Sequence, residues 1–354
     1  MNRTFCSLRS RCHVLFRVFL ICTAALSAHG AALLFGGDIM LNGIVPSAKT
    51  LSDIKPLTRR IDVAFGNLEI PLTHATTKTA RKSAAELKKK DQFILKADPS
   101  HIKFVKDAGI GMVTLANNHA MDYGRSGLRE MTALLDRNKI GHAGAGVDAD
   151  AAMSPAIRKL PSGQTVALLS VMAFQTTAAL LKTTPATRTS PGVGVLNLHG
   201  DLGQKAQAKL KAWIANAHDG ADWVVVGIHW GIERKPLPTP YQVGLGRALI
   251  DAGADVVWGN HPHVLQGAEL YRGKLIMYSM GNLISNLPSR SGFIELKIDE
   301  EGNESPSFIP AEVKGGRVLL LRGKQKTVAF AGFRKLCHLL EKKYPSKRAV
   351  PMMR

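Results

Sequence analysis

The chain has 354 residues, 45% of them hydrophobic and 21% charged, and 47 Lys and Arg against 27 Asp and Glu give a formal net charge of +20. This composition excludes an intrinsically disordered chain and a multi-span membrane protein, and it allows one large domain or two smaller ones. The excess of positive charge favours anionic partners, such as an anionic polymer, a phosphate ester, an anionic lipid headgroup or a nucleic acid.

The first 30 residues have the layout of an export signal, in which arginines precede an apolar stretch. The apolar stretch covers residues 14–28, which is short for a membrane-spanning helix of about 20 residues. We therefore expect an exported protein at the periplasmic or extracellular face of the cytoplasmic membrane. Cleavage near residue 30 is favoured, and an uncleaved anchor is the alternative. Cleavage would leave Cys337 as the remaining cysteine, so no intramolecular disulfide is expected.

Six short apolar runs each predict a buried strand that ends in Gly, Asn, Asp, Glu or His. They cover residues 33–38, 62–69, 111–119, 222–231, 255–263 and 275–282. Segments with helical spacing lie between most of them, at residues 51–61, 101–108, 128–138, 202–217 and 241–252. This alternation predicts a layered α/β fold whose site lies beyond the carboxyl ends of the strands.

Two segments interrupt this alternation. Residues 76–90 form a basic insertion, interpreted as a solvated loop or frayed helix, with a polyanion contact as the alternative. Residues 175–197 are rich in Thr, Pro and small residues and predict a long irregular loop, either a lid or a disordered excursion. After two strand-like pieces, at 292–298 and 317–321, the basic residues 333–348 predict a helix packed on the domain or, alternatively, a membrane-surface element. The predicted units are residues 1–30, 31–310 and 311–354.

The polar residues at the strand ends are candidates for a metal site. They are Asp38, Asn67, Glu69, Asn118, His119, His229, His261 and His263. Carboxylates, neutral imidazoles and amide oxygens are the ligands that divalent metals take at oxygen and nitrogen sites. An extended backbone through Pro262 would point the imidazoles of His261 and His263 the same way. Two metal ions bridged by a carboxylate such as Asp38 would suit displacement at phosphorus, so these residues predict phosphoester hydrolysis or transfer.

Six motifs, in this order along the chain, resemble those of one known family. They are GGDIML from residue 36, GNLE from 66, LANNHAMDYG from 115, GIHWGIE from 227, IDAGADVVWGNHPHVLQG from 250 and YSMGN from 278. Together they resemble the capsule-synthesis CapA family of poly-γ-glutamate biosynthesis proteins, which has a calcineurin-like metallophosphoesterase fold. The resemblance covers about residues 33–282 and implies a layered β-sandwich flanked by helices.

The resemblance also implies a role for each candidate residue. The metal ligands would be Asp38, Asn67, Glu69, Asn118, His229, His261 and His263. His119 would be the catalytic acid or would contact the transferring phosphoryl group, and Asp38 is also counted as catalytic. Ser279 and Asn282 would shape the loop beneath the site or contact substrate. Met40 stands where metallophosphoesterases usually have a histidine ligand, so the number of divalent ions, one or two, and their identity, Mn, Zn, Fe or Mg, stay open.

The function implied by the resemblance is the biosynthesis or export of capsule or poly-γ-glutamate, with a metal-dependent hydrolase or transferase site. The partners would be an anionic polymer or a phosphorylated small-molecule substrate, together with membrane-bound polymer synthase subunits. No nucleic acid is expected, because no recognised binding motif accompanies the positive charge. Two alternatives stay open: a non-catalytic polymer-binding or assembly subunit with a vestigial site, and a general periplasmic metallophosphoesterase. The oligomeric state is not predicted.

Overall fold

The computed structural model describes residues 31–353 except 46, 48, 175–181, 197, 199–201 and 300. The predicted export signal, residues 1–30, and part of the predicted loop 175–197 lie outside the described residues. Within the described ranges, no helix is both long enough and apolar enough to cross a membrane.

The first sheet has eight strands and supplies one half of a sandwich. Its strands are β1 (Ala31–Ile39), β2 (Val63–Leu68), β3 (Ile110–Thr114), β4 (Gly141–Ala143), β13 (Asn282–Ile284), β14 (Ser289–Ile298), β15 (Glu304–Lys314) and β16 (Arg317–Leu320). Their order is β16-β15-β14-β1-β2-β3-β4, and β13 pairs with the end of β1. Strands β1 to β4 are parallel, so their carboxyl ends meet at one edge.

The second sheet has seven strands and faces the first. Its strands are β6 (Ala156–Lys159), β7 (Thr165–Ala173), β9 (Trp223–Trp230), β10 (Val256–Asn260), β11 (Ala268–Tyr271), β12 (Lys274–Met277) and β17 (Ala349–Pro351), in the order β17-β11-β12-β10-β9-β7-β6. The short strands β5 (Ala145–Gly146) and β8 (Gly192–Val193) form a separate pair. Strands β7, β9, β10 and β12 are parallel to one another.

Eight helices are described: α1 (Lys55–Thr58), α2 (Ala84–Lys89), α3 (Ile102–Asp107), α4 (Gly124–Arg137), α5 (Ala149–Met153), α6 (Gln204–His218), α7 (Pro240–Asp251) and α8 (Gly323–Lys343). Helices α3 and α4 pack on the outer face of the first sheet, and α6 and α7 pack on the outer face of the second. Between the sheets, Phe35 and Phe65 stack with ring centroids 4.8 Å apart, next to Trp258. This arrangement confirms the predicted layered β-sandwich flanked by helices.

Several local predictions differ from the structure. The predicted helix at 51–61 is a 3-10 turn, Ser52–Ile54, followed by the single turn of α1. The strand predicted to reach residue 282 ends at Met277, and the apolar run that forms β7 was not predicted as a strand. The predicted unit boundary after residue 310 lies inside β15, and Phe333 and Cys337 of α8 belong to the core between the sheets. The tail therefore packs on the domain, as one of its two interpretations predicts.

The basic insertion is a solvated segment only in part. Its second half forms α2, which begins with a capping box between Ser83 and Glu86, and most of its side chains are exposed. Lys82, however, is 4% exposed and points into the protein. The reason is a buried carboxylate, Asp122, with which the Lys82 ammonium forms an ion pair.

Candidate metal centre

The carboxyl ends of both sheets bring the candidate residues to one place. In the first sheet, Asp38 at the end of β1 lies opposite Asn67 of β2, and Asn67 lies opposite Thr114 of β3. In the second sheet, His229 at the end of β9 lies opposite Asn260 of β10. Because strands in parallel register end at the same edge, the two sheets present their polar ends to one another.

Asp38, Glu69 and His263 form the first group of donor atoms, all within 4.8 Å of one another. The Nδ1 atom of His263 lies 3.0 Å from Oδ2 of Asp38, and its Nε2 atom lies 3.5 Å from Oε1 of Glu69. The amide of Asn67 donates to Oδ1 of Asp38 at 2.8 Å and to Oε2 of Glu69 at 3.4 Å. Two buried carboxylates are thus held side by side with their second oxygens directed at one imidazole.

Glu69, His229 and His261 form the second group, with donor atoms again within 4.8 Å of one another. The His229 and His261 rings have centroids 4.6 Å apart, and Phe174 packs its ring edge-on against His261 at 5.1 Å. The Nε2 atom of His229 lies 2.9 Å from the amide oxygen of Asn118. Glu69 therefore belongs to both groups and could bridge two ions.

Three buried donor atoms of this cluster have no hydrogen-bond partner among the described residues: Oε1 of Glu69, Nδ1 of His229 and Nδ1 of His261. Leaving a buried polar atom unpaired costs about 1–3 kcal/mol, so such atoms are rare in folded proteins unless something else satisfies them. A cation bound among these residues would satisfy all three. The chemistry of the donor set therefore fits a divalent metal.

The segment from His261 to His263 is not extended, so that prediction is wrong. His261 has a φ of +100° and His263 has a φ of +57°, and both lie in the left-handed region that residues other than glycine seldom adopt. Each such residue stores about 1–3 kcal/mol of strain, and strain of this kind concentrates at functional sites. A strained turn, rather than an extended strand, aims both imidazoles into the cluster.

His119 sits beside the cluster and is oriented by its own partners. Its Nδ1 atom lies 2.7 Å from Oδ2 of Asp122 and 3.2 Å from Nζ of Lys82. Lys82 also donates to the backbone oxygens of Asn118 and Phe93, at 3.0 and 2.8 Å. The basic insertion thereby fixes the loop that carries both Asn118 and His119.

Three other predicted residues are placed as supports of the cluster. The amide oxygen of Asn67 accepts from Thr114 and Asn117, at 3.0 and 3.1 Å, so both ends of this amide are engaged in hydrogen bonds. Asn282 places its amide oxygen 3.0 Å from Nδ1 of His263. Ser279 donates to the backbone oxygen of Val264 at 2.8 Å, which steadies the turn that follows His263. The ligand role of Asn67 and the substrate contacts of Ser279 and Asn282 stay predictions.

Four residues near the cluster were not singled out from the sequence: Lys82, Asp122, Glu233 and Asn260. The spacing of Asp122, three residues after His119, and the place of Glu233 at the end of GIHWGIE are signals that could have identified them. Asn260 precedes His261, is buried, and has no partner for either amide atom among the described residues. Lys82 gives no local signal, because its neighbours in the insertion are exposed.

The family model described as "Bacterial capsule synthesis protein PGA_cap" matches residues 32–287. This chain belongs to that family. Capsule biosynthesis protein CapA of Bacillus anthracis is 29% identical over 267 residues, which cover 74% of this chain and 61% of the relative. PGA biosynthesis protein CapA of Bacillus subtilis is 32% identical over 257 residues, which cover 71% of this chain and 62% of the relative. The chain thus spans about three fifths of the length of these curated relatives.

Two further similarities are to another curated relative and to a solved structure. A probable polyglutamine synthesis accessory protein of Mycobacterium tuberculosis is 30% identical over 233 residues, which cover 65% of this chain and 57% of the relative. Among solved structures, TT1561 of Thermus thermophilus aligns with a TM-score of 0.40 and 10% identity, over 78% of this chain and 98% of that chain. The PGA_cap family lies within the metallophosphoesterase-like superfamily, and its matched region, residues 32–287, contains every predicted site residue.

Burial and neighbouring charges set the protonation of the candidate metal cluster. Burial raises the pKa of Glu69 well above its usual value, and the adjacent Asp38 carboxylate raises it further. Burial lowers the pKa of His263, but Glu69 and Asp38 outweigh it and raise the value to about 10. Burial and the charge of His263 lower the pKa of His261 to about 3, and burial and His261 lower that of His229. His229 and His261 are therefore neutral at pH 7, the form in which imidazole binds metals.

Metal uptake is expected to release protons and to strengthen as the pH rises from about 6.5 to about 10. The raised pKa of His263 means that its proton stabilises the metal-free protein fully below 6.5, and that this stabilisation is lost as the pH passes through about 10. A metal ion that binds Nδ1 or Nε2 of His263 must displace this proton. Titration calorimetry in two buffers of different ionisation enthalpy measures the release. Identical heats in both buffers would contradict the prediction.

The variant Lys82→Met is expected to lower the free energy of unfolding of the metal-free protein by roughly 3–5 kcal/mol, because it leaves Asp122 buried without its charge partner. Urea denaturation measures the change. Lys88→Met, on the exposed part of α2, is the control and should change stability by no more than about 0.5 kcal/mol. A Lys82→Met protein as stable as the Lys88→Met protein would show that the buried ion pair has no such role.

Proposed function

We propose that this chain acts in the biosynthesis or export of an anionic polymer of the poly-γ-glutamate type, through a metal-dependent hydrolase or transferase site. The observation that carries this proposal is the single buried cluster of two carboxylates and three imidazoles, with three donor atoms that lack a hydrogen-bond partner among the described residues. Membership of the capsule-synthesis family supports the polymer. Relatives named for capsule and PGA biosynthesis support it as well.

The donor set limits the choice of metal. Imidazole nitrogens suit zinc and iron, and carboxylates also suit manganese and magnesium. Asp38, Glu69 and His263 would hold one ion, and Glu69, His229 and His261 a second. When bound, a divalent ion would act as a Lewis acid and stabilise the negative charge that develops on the reacting group.

The protein's own residues would orient the reaction and handle protons. Asp122 holds Nδ1 of His119, so Nε2 is the ring nitrogen through which His119 would give or take a proton. Burial lowers the pKa of His119, although Asp122 counteracts this effect, so the neutral imidazole is favoured and can accept a proton at Nε2. Asn67 donates to both carboxylates and would keep them side by side, and Phe174 packs against the His261 ring and would shield it from water.

The charge of the chain supports an acidic substrate. With a formal net charge of +20, the protein would attract polyglutamate through its electrostatic field. We propose that it works at the periplasmic or extracellular face of the membrane, with membrane-bound polymer synthase subunits as partners. The same positive charge also favours the second candidate, a polymer-binding or assembly subunit without catalysis.

One set of measurements separates the candidates. The purified protein is analysed for bound divalent metal and assayed for hydrolysis of bis-p-nitrophenyl phosphate and of a γ-glutamyl anilide, together with a polyglutamate binding titration. Metal-dependent turnover that His263→Ala abolishes, and that a control substitution at the exposed Glu301, Glu301→Gln, retains, would support the enzyme. Turnover of the phosphodiester alone, without polyglutamate binding, would favour a general metallophosphoesterase. A metal-free, inactive wild type that binds polyglutamate would overturn the catalytic proposal and leave the binding subunit.

A further inference from the structure

A third group of donor atoms lies at the solvent side of the cluster. Glu233, His261 and His263 place one donor atom each within 4.8 Å of one another. Glu233 is exposed, whereas Glu69, the carboxylate that the other two groups share, is fully buried. Each of the two histidines therefore has a buried carboxylate, Glu69, and an exposed one, Glu233, within 4.8 Å of a donor atom.

The loop that carries Glu233 is fixed to the histidine turn by one hydrogen bond within the turn and one just after it. The backbone N–H of Arg234 donates to the backbone oxygen of Pro262 at 2.9 Å. The amide of Gln266 donates to the backbone oxygen of Lys235 at 2.8 Å. Arg234 itself takes a φ of +59°, a conformation with a steric cost for a side chain of this size. These contacts hold Glu233 beside His261 and His263 and do not depend on its carboxylate.

The number of donors in each buried group leaves room for this carboxylate. Each buried group supplies three protein donors, whereas protein-bound divalent metals take about four to six ligands. His263 belongs to one buried group and His261 to the other, and Glu233 is close to both.

We infer that Glu233 is a further metal ligand, which binds on the exposed side of the centre opposite Glu69. This inference rests on the metal centre proposed above and adds a residue and a direction to it. Since Glu233 is the exposed ligand, an anionic substrate group can take its place without disturbing the buried carboxylates. The centre thus selects substrates that present a phosphate or a carboxylate at the Glu233 position.

Titration with Co²⁺ tests the inference without relying on activity, because the visible absorption of bound Co²⁺ reports its ligands. The metal-free wild type, Glu233→Gln and Asp38→Ala proteins are titrated, with Glu301→Gln as a matched control. Glu301 is an exposed glutamate just beyond the end of β14. The last residue of β14, Ile298, pairs with Ala31, at the opposite end of β1 from Asp38. Thermal unfolding of each metal-free protein confirms that the variants are folded.

Glu233→Gln is expected to weaken Co²⁺ binding by roughly tenfold to a hundredfold and to change the absorption spectrum, with Glu301→Gln unchanged. If Glu233→Gln binds Co²⁺ with the affinity and spectrum of the wild type while Asp38→Ala does not bind, the inference is wrong and the metal centre stands. A wild type that binds no Co²⁺, Zn²⁺ or Mn²⁺ overturns both. As a second readout, millimolar inorganic phosphate should change the wild-type spectrum towards that of Glu233→Gln.

Discussion

Asp38→Ala is expected to lose the bound divalent metal and at least roughly 10³-fold of any metal-dependent turnover, as when one member of a catalytic unit is removed. Asp38 is fully buried, and its two oxygens contact Asn67 on one side and His263 on the other. Without it, the first group of donors keeps only Glu69 and His263. Metal analysis of the purified protein and initial rates at saturating metal measure the two losses.

The control for Asp38→Ala is Asp62→Asn, which changes a second carboxylate bound to the same strand. Asp62 accepts from the backbone N–H of Ala32 at 2.8 Å, at the far end of β1 from the site. Asparagine can keep this hydrogen bond, so metal content and turnover should match the wild type. The centre proposed here is contradicted if Asp38→Ala retains the metal content of Asp62→Asn.

Gly37→Ala is expected to destabilise the protein by several kcal/mol, roughly 3–5, and to displace Asp38 and Asn282 together. A Cβ atom at Gly37 would lie 1.9 Å from the backbone oxygen of Gly281, and this is backbone that cannot rotate away. The next residue, Asp38, donates its backbone N–H to the same oxygen at 3.0 Å. The close approach therefore joins β1 to the loop that precedes Asn282. Denaturant unfolding and metal titration measure the two effects.

Gly332→Ala is the matched control for this substitution. Gly332 lies inside α8, and the nearest atom to an added Cβ is in the Arg290 side chain, 3.9 Å away. Since alanine favours helix by up to about 1 kcal/mol over glycine, this variant should be as stable as the wild type or slightly more stable. A Gly37→Ala protein that unfolds at the same denaturant concentration as Gly332→Ala would show that the two backbones do not need this approach.

Much of the fold could be predicted, because buried parallel strands have continuous apolar runs. The runs at 33–38, 62–69, 222–231 and 255–263 correspond to β1, β2, β9 and β10. Prediction failed where local pattern and tertiary contact disagree. Strand β12 covers Lys274–Met277, but Tyr278 leaves the strand, and its hydroxyl donates to buried Glu269 at 2.7 Å. No local sequence pattern predicts that contact.

The candidate cluster was also predictable in its main members, since polar residues at the ends of parallel strands meet at one edge. The sequence could not predict how they are aimed. His261 and His263 reach the cluster through positive φ angles rather than an extended backbone. Lys82, in a run of exposed basic residues, is buried because Asp122 lies forty positions away in sequence and in contact in space.

The sequence by itself determined the layered α/β class, the strand ends that carry Asp38, Glu69, His229 and His263, and the family, because apolar periodicity and short motifs are local. Only the tertiary structure decided which donors share an ion. It places Glu69 in two groups and brings the exposed Glu233 to the histidine turn. The physical reason is that metal ligation depends on distances of a few ångströms between strand ends. Strand register and the strained turn set those distances, and neither can be predicted from a local stretch of sequence.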